Sequence, residues 1–156
     1  RPDLVAALAL VDTKATADPE AARVHRQRVA DLAEAGEAWS TGMVEGLLGS
    51  TTRGTRPDLV AQVEAVLSSA SPHTVAWVQR AMAARPDSRE ALAMLTAPVT
   101  VVMGEEDTMS PRQEQDLMRE AAAQAAWVPI PGAGHLTPLE APEAVAAALL
   151  ALVARD

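Results

Sequence analysis

Cysteine, phenylalanine and tyrosine are all missing from this 156-residue sequence. Without cysteine there can be no disulfide and no thiolate metal ligand, which fits a reducing compartment and gives an expected cytoplasmic location. Without Phe and Tyr, and with 34 alanines inflating a 49% apolar content, core volume has to come from Leu, Val, Met and three Trp. Positive charge is also scarce. Thirteen Lys and Arg against 21 Asp and Glu leave a formal charge of -8, which opposes nucleic acid and anionic membranes, since phosphate binding depends on cations that displace counterions. Neither partner is expected. No apolar run approaches the roughly 20 residues that span a bilayer, and no charged leader followed by an apolar stretch opens the chain. An initiator Met is absent, so a processed or truncated product is expected, and no Gly-x-Ser-x-Gly occurs anywhere.

What is present has the apolar and charged balance of a globular protein. Ala6 to Asp12 reads as a strand buried on both faces, although periodicity alone also admits a helix. Val99 to Met103 is β-branched and stopped by Gly104, a clear strand. Ala126 to Ile130 is a third, and its Pro129 points to an edge strand or a strand end. Between the last two, Pro111 to about Ala125 reads as a helix with Ser110 as N-cap and Gln113 at the capping-box position. Pro142 to Ala154 is another, with Val145, Leu149 and Leu152/Val153 on one face. The C-terminal β-α-β-α pattern implies parallel strands whose C-terminal ends share one rim.

Residues 14–95 differ in kind: starts at Asp18-Pro19, Arg56-Pro57, Ser71-Pro72 and Asp87-Ser88 mark several helices without a strand, and Gly46 to Thr55 reads as a mobile loop. An all-helical insertion between strands reads as a cap or lid. The expected architecture is α/β: about three parallel strands with flanking helices from residues 1–13 and 96–156, plus a helical cap over 14–95. Such a sheet has an unpaired edge, so the isolated chain is expected to be unstable or to associate with a complementary half.

Two loops carry chemistry. Gly104-Glu105-Glu106-Asp107 follows one strand and Gly132-Ala133-Gly134-His135 follows the next, which places a carboxylate and an imidazole at neighbouring strand ends, where parallel sheets bind ligands. A Gly-x-Gly-His alone is more often a turn with a structural histidine than a catalytic one; the Asp after the preceding strand turns the reading toward an acid that orients a base. Glu105 and Glu106 read as solvated loop charges. These loops, with Leu139-Glu140-Ala141-Pro142-Glu143 and the opening Arg1-Pro2-Asp3-Leu4-Val5, resemble the α/β-hydrolase superfamily, specifically its cap-bearing bacterial esterases, enol-lactonases and perhydrolases. The resemblance implies that Asp107 is the acid and His135 the base of a catalytic triad, with the nucleophilic Ser, or an Asp in its place, in absent N-terminal sequence. It further implies an ester or lactone substrate, an acyl-enzyme, and neither cofactor nor metal. The alternative is a chain that keeps the fold for binding or assembly.

Other residues compete for roles. Asp12 also ends a strand, a position where related hydrolases sometimes keep their acid, and otherwise simply terminates it. Glu140, five residues past His135, has a structural role: it could bond the loop backbone or approach the next helix, and a helix-entry acid suffices to explain it. His25, among Arg23, Arg26 and Arg28, reads as part of an exposed basic face, and His73 lacks metal-ligand partners at suitable spacing. Trp39, Met43, Trp77 and Met82 read individually first as core packing and second as candidates to line a substrate pocket under the cap, and Trp127 is expected against the final helix.

Overall fold

The structure, a computed structural model, describes residues 1–154. Strands β1 (Leu8–Val11), β2 (Val99–Gly104) and β3 (Ala126–Ile130) form one parallel sheet in the order β1-β2-β3. Leu8 pairs with Val99 and Thr100 with Ala126, so all three strands end at one rim. β2, flanked on both sides, is buried throughout, while β1 and β3 are half-buried, as edges of the described sheet are. Pro129 lies within β3, in register with Met103, where an edge strand tolerates the missing donor.

The β2–β3 crossover is α7 (Arg112–Ala121), and the chain ends in α8 (Thr137–Glu140) and α9 (Pro142–Val153). One sheet face packs Val99 and Val101 against Met118 of α7; the other packs Val102 and Ile130 against Val145 and Ala148 of α9. The buried stripe of α9 is Val145, Ala148 and Leu152, whereas Leu149 and Val153 face outward at 39% and 68% exposure. Val145 and Leu152 stand on the expected apolar face, and Ala148 takes the inward place expected of Leu149.

Ser110 is not the cap of α7. That position is Pro111, without a side-chain cap bond, and Ser110 is buried with its amide turned to Asp107. Trp127 packs not on α9 but on α7, under the guanidinium of Arg112 at 3.9 Å, because odd-numbered β3 positions here face the α7 side.

Between β1 and β2 the chain is helical: α1 (Glu20–Glu34), α2 (Met43–Leu47), α3 (Ser50–Thr55), α4 (Pro57–Ser69), α5 (Pro72–Ala83) and α6 (Arg89–Ala93). Pro57 and Pro72 open α4 and α5, where a missing N–H costs nothing. The helices α1 and α5 pack around Val29, Ala33 and Val75, and α4 closes over Leu48 with Leu59 and Val63. Residues 46–55 are not a loop. They complete α2 and form α3, with Leu48 and Thr52 buried at 1% and 6% exposure. Glycines at 46, 49 and 54 suggested mobility, but Gly49 is there for a close backbone approach. Among the described residues no helix is long and apolar enough to cross a membrane.

Candidate active site

At the common rim, β2 runs into Gly104 and the turn that carries Asp107, and β3 runs into the turn that carries His135. His135 Nδ1 lies 2.9 Å from Asp107 Oδ2. Asp107 Oδ1 accepts the amides of Met109 (2.8 Å) and Ser110 (2.9 Å), so both carboxylate oxygens are committed. Burial pushes the Asp107 carboxyl up, but the His135 bond and the two amides outweigh it and hold the group below its ordinary value. For His135 burial favours the neutral ring, and the bond to Asp107, with the negative charge of Asp107, Asp12 and Glu140, reverses this and raises its pKa. The pair is a fixed, ionised acid beside an imidazole whose Nδ1 is engaged, leaving Nε2 to exchange a proton.

The backbone around His135 is held from three sides. Glu140 Oε1 accepts the amides of Gly134 (2.9 Å) and Leu136 (3.1 Å), and its Oε2 accepts that of Gly49 (2.9 Å). His135's own amide donates to the carbonyl of Leu47 at 2.9 Å. Glu106 reaches the same helical segment: it accepts Ser50 Oγ (2.8 Å), the Thr51 amide (2.9 Å) and Thr51 Oγ1 (2.6 Å), and the Thr51 and Ser50 donors hold its carboxyl below the ordinary range. Glu106 is not the solvated charge expected of it, and Glu140 keeps its structural role by bonding the loop backbone rather than as a helix-entry charge; both tie α3 to the loops bearing Asp107 and His135. The signal for Glu140 lay in its spacing of five residues beyond His135, enough for a one-turn helix to fold it back. Nothing in the sequence marked the partner of Glu106, which comes from 55 residues away.

Asp12 does more than end β1. Its backbone is left-handed (φ 46°), and Oδ2 accepts both the amide (2.8 Å) and the hydroxyl (2.7 Å) of Thr137, two residues past His135. Its Oδ1 is buried without a partner among the described residues. Burial pushes the Asp12 carboxyl up to about 6, against the Thr137 bonds and the attraction of His135, with Asp107 adding repulsion. The folded chain thus keeps this proton to about pH 6, whereas an unfolded Asp loses it near 4, so stability falls as pH rises between those values and is level above them. Asp12→Asn keeps an acceptor for Thr137 without the charge. We expect it to exceed the parent by on the order of 1 kcal/mol at pH 7.5, discounted for partial exposure, and to match it below pH 4. Urea melts at the two pH values check this; a difference that does not change with pH removes ionisation as the cause.

His135 borders a cavity of about 500 Å³ whose other walls include Met43 and Met82. The remaining pocket candidates lie elsewhere. Trp39 packs beside Val29, Ala33 and Val75 on the inner side of α1 and α5, and Trp77 is 66% exposed, because the helical period of α5 turns Val75, Ala76 and Gln79 inward instead. His25 is exposed yet sits at the cavity wall, while neighbouring Arg26 turns inward to Asp18.

The profile of the Alpha/beta hydrolase family matches residues 2–148. A thermophilic esterase from Thermogutta terrifontis, solved with malate bound, superposes with a TM-score of 0.91 and 34% identity, covering 99% of this chain and 57% of its own. An alpha/beta hydrolase enzyme from a Medee basin deep-sea metagenome library (TM-score 0.83, 19% identity, 99% and 58% covered) has the same fold. So does the enol-lactonase from Burkholderia xenovorans (TM-score 0.80, 19% identity, 98% and 58% covered). The chain spans less than two thirds of the length of these proteins. No curated protein matches it.

Proposed function

The chain belongs to the α/β-hydrolase family, and from that premise we propose that it supplies the acid, Asp107, and the base, His135, of a serine hydrolase that cleaves carboxylic esters or lactones, with the nucleophile in sequence upstream of Arg1. The observation that carries this reading is the 2.9 Å bond between His135 Nδ1 and Asp107 Oδ2 at adjoining strand ends. Likeness to an esterase at 34% identity over 99% of the chain supports the substrate class.

In the proposed reaction His135 Nε2 takes the proton of the seryl hydroxyl as its oxygen attacks the carbonyl carbon, and Asp107 stabilises the imidazolium. The tetrahedral intermediate collapses, and Nε2 returns the proton to the departing alkoxide. Water then repeats the sequence on the acyl-enzyme and releases the acid. Residues 14–95 act as the cap, and Met43 and Met82 provide the apolar wall of the pocket.

The test uses the product of the complete reading frame that contains this chain. It is expected to hydrolyse p-nitrophenyl butyrate and to be labelled by a fluorophosphonate at one serine outside residues 1–156, with label and turnover lost together. A label on a residue within 1–156, or turnover that survives complete labelling, would overturn the assignment. A folded product with neither turnover nor label points instead to a binding chain.

A further inference from the structure

Asp18 is buried with its side chain wholly out of solvent, and three cations converge on it. Lys14 Nζ lies 2.7 Å from Oδ1, Arg26 Nε bonds Oδ2, and an Arg85 terminal nitrogen stands 3.7 Å from Oδ1. Only neutral groups supplement this carboxylate: Gln79 Oε1 accepts from Arg26 at 3.3 Å, and Met82 Sδ lies against the same nitrogen. Arg85 Nε is buried without a partner among the described residues. Three positive charges on one negative charge leave two uncompensated, on side chains only 13%, 18% and 30% exposed, in a protein whose net charge is -8. Withdrawing cations from water is costly unless an anion meets them. All three border the cavity of about 500 Å³ that His135 also borders. Asp18 itself does not line that cavity; the carboxylate that does, Asp12, is occupied by Thr137 and forms no ion pair with the cluster among the described residues.

We propose that Lys14, Arg26 and Arg85 form a carboxylate-recognising subsite in this cavity, so that the ester or lactone cleaved at His135 carries a second, anionic group. This rests on the hydrolytic reading above. A guanidinium fork matches a carboxylate edge-on, and Arg85, the loosest partner of Asp18, has donors to spare for it. Lys14 and Arg85 also border an apolar cleft of about 450 Å³ along β1, so a carboxylate on a segment packed there is the rival occupant. Arg26 and Gln79, which complete the cluster, border the His135 cavity and not that cleft, and this favours the small molecule.

Two readouts on the product of the complete reading frame separate the subsite from the reaction. Rates on monomethyl glutarate and on its neutral analogue methyl 5-methylhexanoate give a charge preference, and titration calorimetry with glutarate gives binding alone. The anionic ester is expected to be preferred at least about tenfold at low salt, less at high salt, and the preference to drop about tenfold in Arg85→Met and to return largely in Arg85→Lys. Glutarate affinity should follow the same order. Glutarate binding that depends on Arg85 without hydrolysis of either ester keeps the subsite and removes the hydrolase. Hydrolysis with no charge preference, or a preference untouched in Arg85→Met and Lys14→Met alike, overturns the subsite. Loss of melting temperature in both variants with the preference intact hands the cations to the rival contact and overturns it too.

Discussion

Asp107→Asn, made in the product of the complete reading frame, is expected to cut ester turnover by about four orders of magnitude with little change in KM. The size follows from the partners of the carboxylate. Oδ1 accepts two amides, from Met109 and Ser110, so an asparagine at this position must keep its carbonyl oxygen there. Its NH₂ group then faces His135 Nδ1, where Oδ2 stood at 2.9 Å. Nδ1 becomes an acceptor, the ring proton moves to Nε2, and the nitrogen that should take the seryl proton already carries one. His135→Ala removes the base altogether and should cost a similar factor, and the double variant should be little worse than either, since the two act as a unit. The acid limb of the kcat/KM profile carries a second sign. Asp107 and its neighbours raise the His135 pKa above 6.5 despite burial, so the parent should lose activity as pH falls through a value above 6.5. In Asp107→Asn, which loses the bond and the negative charge, the residual limb should move to lower pH. Turnover within tenfold of the parent in Asp107→Asn, or a limb that stays put, would sink the assignment of Asp107 as orienting acid.

The parts of the site that were legible in the sequence are those written locally. Val99 to Gly104 is β-branched and ends in glycine, and Ala126 to Ile130 matches the observed strand. Pro19, Pro57, Pro72 and the Asp87-Ser88 pair each stand where a helix begins, because a proline or a short polar side chain acts within one turn of itself. The loops of Asp107 and His135 were legible for the same reason, since each follows a strand, while the choice of Asp107 over Glu105 and Glu106 came from the family resemblance. Long-range satisfaction was not legible. Glu106 reads as a solvated charge, Glu140 as a helix-entry acid, Asp12 as a strand terminator or alternative acid and Asp18 as a helix start, and each has a partner between 8 and 125 residues away that no local pattern names. Residues 46–55 failed for a related reason. Their glycines signal freedom to a local reading, whereas Gly49 lies so near the His135 loop that a β-carbon would come within 2.9 Å of the Gly134 amide nitrogen. What looked like a flexible stretch is one wall of the site.

That close packing sets the other large effect, at Gly104. The loop after β3 crosses directly over the end of β2, where the Glu105 amide donates to Ile130 and the Glu106 amide to Ala133. A β-carbon on residue 104 would overlap the carbonyl oxygens of Ala133 and Gly134 and sit 2.6 Å from the Ala133 carbonyl carbon, all backbone atoms with no rotamer to escape into. Gly104→Ala is therefore expected to destabilise the protein by about 3 kcal/mol or more, at the upper end of what overpacking costs. Whatever relief the loop finds must move Gly134, and with it the Glu140 and Leu47 bonds that hold His135 in place, so turnover should fall beyond what the unfolded fraction explains. Gly54→Ala is the control: it lies in α3 with nothing within 4 Å of the added carbon, and should be neutral or stabilising by about 0.5–1 kcal/mol, as for glycine in an open helix. Urea melts of both variants, with turnover measured where each is fully folded, separate stability from alignment. A Gly104→Ala protein as stable and active as Gly54→Ala would mean that the His135 loop does not lie on the strand end, and the geometry on which the catalytic reading rests would fall with it.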